Sequence, residues 1–200
     1  MFHLFKYFGK LLNKIVFSIA FIFKQPINPI GVRIIQLTIC SFGKVEESLI
    51  NHVKKEMKKR LNIPVLFGFE IRPPESSFNR YRNQYDASII LSHLEKNFDD
   101  KVLVITDKDI YASGLNYVFG LAKTKSKAAI VSTFRLIPQN NDKELLKERL
   151  LKECLHEFGH VLGLQHCKEK GCVMNPSNNI RDIDNKSTEF CHMCQIALMR

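Results

Sequence analysis

The chain has 200 residues, 45% apolar and 25% charged, with a net charge of +10. That length fits one domain with a small appendage and can bury a core without disulfides, so disordered and fibrous classes are excluded. The positive charge makes anionic partners plausible, membrane lipid or nucleic acid, but does not choose between them or exclude an ordinary solvated basic surface.

The first stretch, "MFHLFKYFGKLLNKIVFSIAFIFK", has four lysines and no acid. Wound as a helix, it gathers His3, Lys6, Lys10, Asn13, Lys14 and Ser18 on one side and Phe5, Phe8, Leu12, Ile15 and Ile19 on the other. That is the pattern of an interfacial amphipathic helix. The apolar run from Ile15 to Phe23 is well short of the ~20 residues that span a bilayer. A helix packed on the domain, or a signal peptide, would have similar composition, although "FKQP" stands where a small-residue cleavage site belongs. Peripheral contact of residues 1–24 with an anionic membrane is therefore the expectation. Pro26, Pro29 and Gly31 then mark a linker, so residues 1–30 are set apart from a domain over 31–200.

Within that domain, "VRIIQLTIC" reads as a buried strand and "VEESLINHVKKEMKKRL" as a helix with Val45, Leu49, Ile50, Val53 and Met57 on one face. "IPVLFGFEIR", "YDASIILSHLEKNF" and "KVLVITD" continue as strand, helix and strand, which predicts an α/β fold. "AAIVSTFRLI", Ala128 to Ile137, is a fourth strand with no helix before it, and an antiparallel edge strand is its natural reading. Asp142 to Leu162 is a long helix, with Asn141 and Glu144 at capping-box spacing. Its first half is charged on most sides; its second half is apolar apart from two histidines and Glu157.

The helix ends in "HEFGHVLGLQHC". His156 and His160 are four residues apart, about 40° in azimuth and one turn in height, so both imidazoles can reach one ion. Glu157 is about 100° round from His156, too far to ligate but near enough to touch a water on that ion. Gly163 can take the left-handed conformation that ends a helix, which turns the chain back and brings His166 to the same ion. Three nitrogens leave a tetrahedral position open, the signature of a catalytic zinc site. A lone histidine could be a satisfied core residue; the full H-E-x-x-H-x-x-G-x-x-H pattern is far more specific.

Cys167, Cys172, Cys191 and Cys194 form C-x4-C…C-x-x-C, which suits a closed four-thiolate zinc site in a reducing compartment, with disulfide pairing as the alternative. Cys167 follows His166 directly, so a structural zinc would fix the loop carrying the third histidine. Cys40 and Cys154 stand in apolar contexts and are expected to be buried thiols without function.

"HEFGHVLGLQHCKEKGCVM" followed by "CHMC" resembles the archaemetzincin family of metallopeptidases, as do "ITDKDIY", "NYVFGLA" and "AAIVSTFRL". The resemblance runs from about Val32 to Arg200. It implies a zincin fold: a mixed twisted sheet with an antiparallel edge strand, an active-site helix closing an upper subdomain (31–163), and a small zinc-stapled C-terminal subdomain (164–200). It also implies two zinc ions, one catalytic on His156, His160 and His166 and one structural on the four cysteines. Glu157 would be the general base of peptide-bond hydrolysis through a zinc-activated water, and Met174 the methionine packed under the site. The peptide or protein substrate would lie along the edge strand, expected at Ala128, Ala129, Ile130, Val131, Ser132 and Thr133. Endo- and aminopeptidase modes both remain open. Nucleic acid is not expected as a partner, and the expectation is a cytoplasmic monomer, with membrane contact through residues 1–24, which lie outside the resemblance. The competing class is a catalytically silent zinc-stapled module binding membrane or nucleic acid, for which an unliganded Glu157 would have no purpose.

Overall fold

The computed structural model describes residues 35–199, and the N-terminal segment expected to be amphipathic lies outside them. Five strands form the main sheet: β1 (Leu37–Phe42), β2 (Val65–Glu70), β5 (Lys101–Thr106), β7 (Gly120–Ala122) and β8 (Ala128–Ser132), in the order β2-β1-β5-β8-β7. The first four in that order run parallel, and β7 pairs antiparallel with β8.

Strand alternation decides what covers each face. Leu37, Ile39, Leu103, Ile105, Ala129 and Val131 point to one side, and Cys40, Phe42, Val102, Val104, Ala128 and Ile130 to the other. Both sets are apolar, so both faces must be covered, as parallel strands require. The first side packs on α1 (Glu47–Leu61) and α3 (Lys143–Val161), the second on α2 (Ala87–Asn97). The four buried positions on α1 are Leu49, Ile50, Val53 and Met57, with Val45 packed beside them. A second, three-stranded sheet is built from β3 (Phe78–Asn79), β4 (Gln84–Asp86) and β6 (Ile110–Tyr111). After α3 the chain makes two short helices, α4 (Ile180–Asn185) and α5 (His192–Leu198). Among the described residues no helix is long and apolar enough to cross a membrane.

Two expectations need correction. Ala128–Ser132 is not the edge: it is hydrogen-bonded parallel to β5 on one side and antiparallel to β7 on the other. The antiparallel edge is Gly120–Ala122, too short and too glycine-rich to read as a strand from the sequence. The cap of α3 is also one residue later than expected. The Asp142 carboxylate accepts from the Glu144 and Leu145 amides, while Asn141 takes a left-handed φ of 54° in the turn before it.

The charged residues of α3 are not simply solvated. Arg149, Lys152 and Glu153 are buried. Arg149 makes a two-pronged contact with Asp184, both arms at 2.7 Å, and also donates to the Leu136 carbonyl. Lys186 Nζ lies 2.8 Å from Glu153 Oε1, with both side chains under 5% exposed. Removing one partner of such a pair costs about 3–5 kcal/mol, because the other charge is stranded out of water. These contacts tie the C-terminal segment to the helix that carries the first two histidines.

Candidate active site with two metal-ligand clusters

The end of α3 is a complete Schellman turn. The Gly163 amide donates to the His160 carbonyl and the Leu164 amide to the Gly159 carbonyl, with Gly163 at a φ of 107°. The turn presents the Leu164 carbonyl to His160, whose Nδ1 donates to it at 2.8 Å. His156 Nδ1 donates to the Val173 carbonyl at 2.9 Å. With both Nδ1 atoms carrying protons, both Nε2 atoms are bare, and they face each other at 3.2 Å. His166 completes the group: the three histidines each offer a nitrogen within 4.8 Å of the others.

Two bare lone pairs at that distance repel unless a cation lies between them. Zinc–nitrogen bonds of 2.0–2.1 Å in tetrahedral geometry put ligand nitrogens about 3.3 Å apart, so the set fits zinc. Burial holds the pKa of His156 down to about 2, and burial also lowers that of His166. Burial thus favours the neutral form a metal needs at His156 and His166.

Glu157 is buried beside this group. A methyl built on Gly120 would stand 2.6 Å from Glu157 Cγ and 2.9 Å from its Oε1. The glutamate therefore lies flat against the backbone of the edge strand, and any side chain at 120 would displace it. Burial, and then Glu153 one turn earlier, pushes the Glu157 carboxyl well above the usual range, opposed by Lys186. Met174 is wholly buried. A methyl on Gly159 would meet its sulfur at 2.4 Å, so the methionine lies directly under the helix between the two histidines, packed by contact and not by ligation.

The four cysteines come together as a second group, with their sulfurs within 4.8 Å of one another and none in a disulfide. Cys167 and Cys191 sulfurs are 3.7 Å apart, and Cys172 and Cys194 sulfurs 3.8 Å apart. Zinc–sulfur bonds of about 2.3 Å predict a tetrahedral edge of about 3.8 Å, so these residues also fit zinc. Asn175 braces the loop, donating to the Cys167 and Glu169 carbonyls and accepting from the Gly171 amide. Cys40 and Cys154 lie apart, each fully buried, with burial raising Cys40 to about 11 and Cys154 well above its ordinary value. They are inert core thiols, as the sequence suggests.

Ala128 to Thr133, expected along the substrate, are all buried. With both backbone edges of Ala128–Ser132 used, that segment cannot accept another strand. What the sequence does not mark is the role of Gly120, the orienting carbonyls of Val173 and Leu164, and the Glu153–Lys186 pair. A glycine directly after Phe119 in "YVFGLA" was the one available signal for a close backbone approach.

Residues 30–200 match the model of peptidase family M54. An archaemetzincin of Methanocaldococcus jannaschii is 40% identical over 172 residues, covering 82% of this chain and 92% of its own. The crystal structure of the Methanopyrus kandleri archaemetzincin superposes with a TM-score of 0.76 at 35% identity, covering 83% of this chain and 94% of that one. That of the Archaeoglobus fulgidus archaemetzincin, complexed with malonate, gives 0.74 at 36% identity, over 81% and 99%. A histidine triad and a four-cysteine cluster on this sheet, with relatives of such length and identity, lead to one conclusion: the chain belongs to the archaemetzincins, zinc metallopeptidases of family M54.

Proposed function

We propose that the chain hydrolyses peptide bonds with one zinc on His156, His160 and His166, a second on Cys167, Cys172, Cys191 and Cys194, and Glu157 as general base. The observation that carries the reading is the pair of bare Nε2 atoms at 3.2 Å with a non-ligating, buried carboxylate on the next residue. A zinc ion held by the histidines would lower the pKa of a bound water and polarise the scissile carbonyl. Glu157 takes the proton from the attacking water and returns it to the leaving amine nitrogen. Met174 acts as packing beneath the helix.

The substrate strand adds to the outer edge of Gly120–Ala122, where main-chain amides and carbonyls are available for β-strand addition. That edge replaces Ala128–Thr133 as the substrate rail, and its first residue touches Glu157. Residues 1–24, basic and amphipathic in sequence, serve as a peripheral contact with anionic membrane. Co-sedimentation with anionic vesicles should disappear when they are deleted, with zinc content unchanged; equal binding by the truncated protein would assign it to the domain surface instead.

Changing Glu157 to Gln tests the hydrolytic reading. Both metals should stay bound while kcat falls by about 10²–10⁴-fold. Zinc-loaded protein that cleaves nothing in a broad peptide library would leave the silent binding module as the better account.

A further inference from the structure

The strand edge that touches Glu157 continues into a basic hairpin. Lys123, Lys125 and Lys127 alternate through the turn between β7 and β8, all exposed, with no acid among residues 123–127. The turn is fastened to the end of α3: the Lys125 amide donates to the His160 carbonyl at 3.0 Å, and Gln165 donates to Thr124 Oγ1 at 3.3 Å. From below, Lys101 Nζ donates to the Ser126 carbonyl. The stem of Lys125 runs along Gly163, where an added methyl would meet its Cγ at 3.2 Å. Lys123 is paired with Glu95 at 3.5 Å, whereas among the described residues no ion pair involves Lys125 or Lys127. The turn is thus a fixed cationic rim one step beyond the second histidine.

Any peptide along the outer edge of β7 has one end directed at this rim. Antiparallel pairing is the more stable per residue. A peptide so paired runs from the Lys123 end toward Gly120 and Glu157, so its N-terminal part passes the lysines. At about 3.4 Å per residue, side chains two to five places before the scissile bond fall within their reach.

We propose that Lys125 and Lys127 make this enzyme select acidic residues two to five positions N-terminal to the bond it cuts. The proposal rests on the peptidase reading and deepens it, because a substrate beginning just before the scissile bond never reaches the hairpin. The rim therefore rewards cleavage inside a chain, an endopeptidase pattern, over removal of a single N-terminal residue.

Internally quenched peptides that differ only at those positions, Asp and Glu against Lys, test it on the zinc-loaded full chain. At low salt the acidic peptide should have a kcat/KM on the order of tenfold above its lysine counterpart. The ratio should shrink as salt screens the contact, and Lys125→Glu with Lys127→Glu should invert it. The ratio within each protein cancels differences in folding or metal content. Moving the acids to the C-terminal side of the bond should abolish the gain; an equal gain there overturns the orientation. A ratio near one in the wild type, or an unchanged ratio in the double variant, overturns the proposal and leaves the peptidase reading intact. Cleavage of no peptide at all brings down both.

Discussion

The histidine triad and the cysteine cluster each fit a zinc tetrahedron but depend unequally on each other. The cluster draws all four of its sulfurs from the C-terminal segment and is braced there by Asn175. The triad draws two ligands from α3, and two of its parts depend on the cluster. His166 is bonded to Cys167, and the Val173 carbonyl that orients His156 follows Cys172 directly. The cluster should therefore survive loss of the triad, while the triad should lose its geometry without the cluster. A site that must stay open on one side takes its rigidity from one that is closed.

The largest effect should come from breaking the open site alone. His160→Ala removes a ligand, so the triad should lose its zinc and all peptidase activity while elemental analysis still finds one zinc per chain on the cysteines. Loss of both metals would show that the dependence runs both ways. A smaller effect should follow from loosening the closed site. Cys191→Ser keeps every histidine, yet should weaken zinc binding at the triad by about 10–100-fold, the usual cost of losing a supporting contact. Chelator titration of wild type and variant measures this, and unchanged triad affinity would refute the asymmetry. The smallest effect belongs to the packing beneath both. In Gly159→Ala the new methyl must push the Met174 sulfur aside, and overpacking of this kind costs about 1–3 kcal/mol. Thermal unfolding should move down by several degrees with zinc content unchanged.

The sequence made the metal chemistry legible because ligands are fixed by type and spacing, and spacing on a helix is geometry. The buried strands were legible as short β-branched apolar runs, and α1 through its apolar face. The edge strand was not, since Gly120–Ala122 has three residues, none β-branched, and becomes a strand only by pairing with Ala128–Ser132. Burial within the charged half of α3 was not legible either. Arg149, Lys152 and Glu153 look solvated in the sequence, and only their pairing with Asp184, Glu148 and Lys186 makes their burial tolerable. Such partners lie more than thirty residues away in two of the three cases, where no local pattern can reveal them. The cap at Asp142 was missed by one residue because Asn141 is an equally good capping type. The left-handed turn at Asn141 decides between them.

The two ring protons of His156 and His160 go to main-chain carbonyls, not to carboxylate side chains. A carbonyl is supplied by whatever residue occupies the position, so replacing Val173 or Leu164 by alanine leaves the acceptor in place. Alanine scanning would accordingly pass over the groups that set both imidazole tautomers. Only a change in the path of the backbone, such as a proline that bends the turn, would redirect them. The orientation of this metal site is thus largely insulated from point mutation, and drift at those two side chains can proceed while the lone pairs keep their aim.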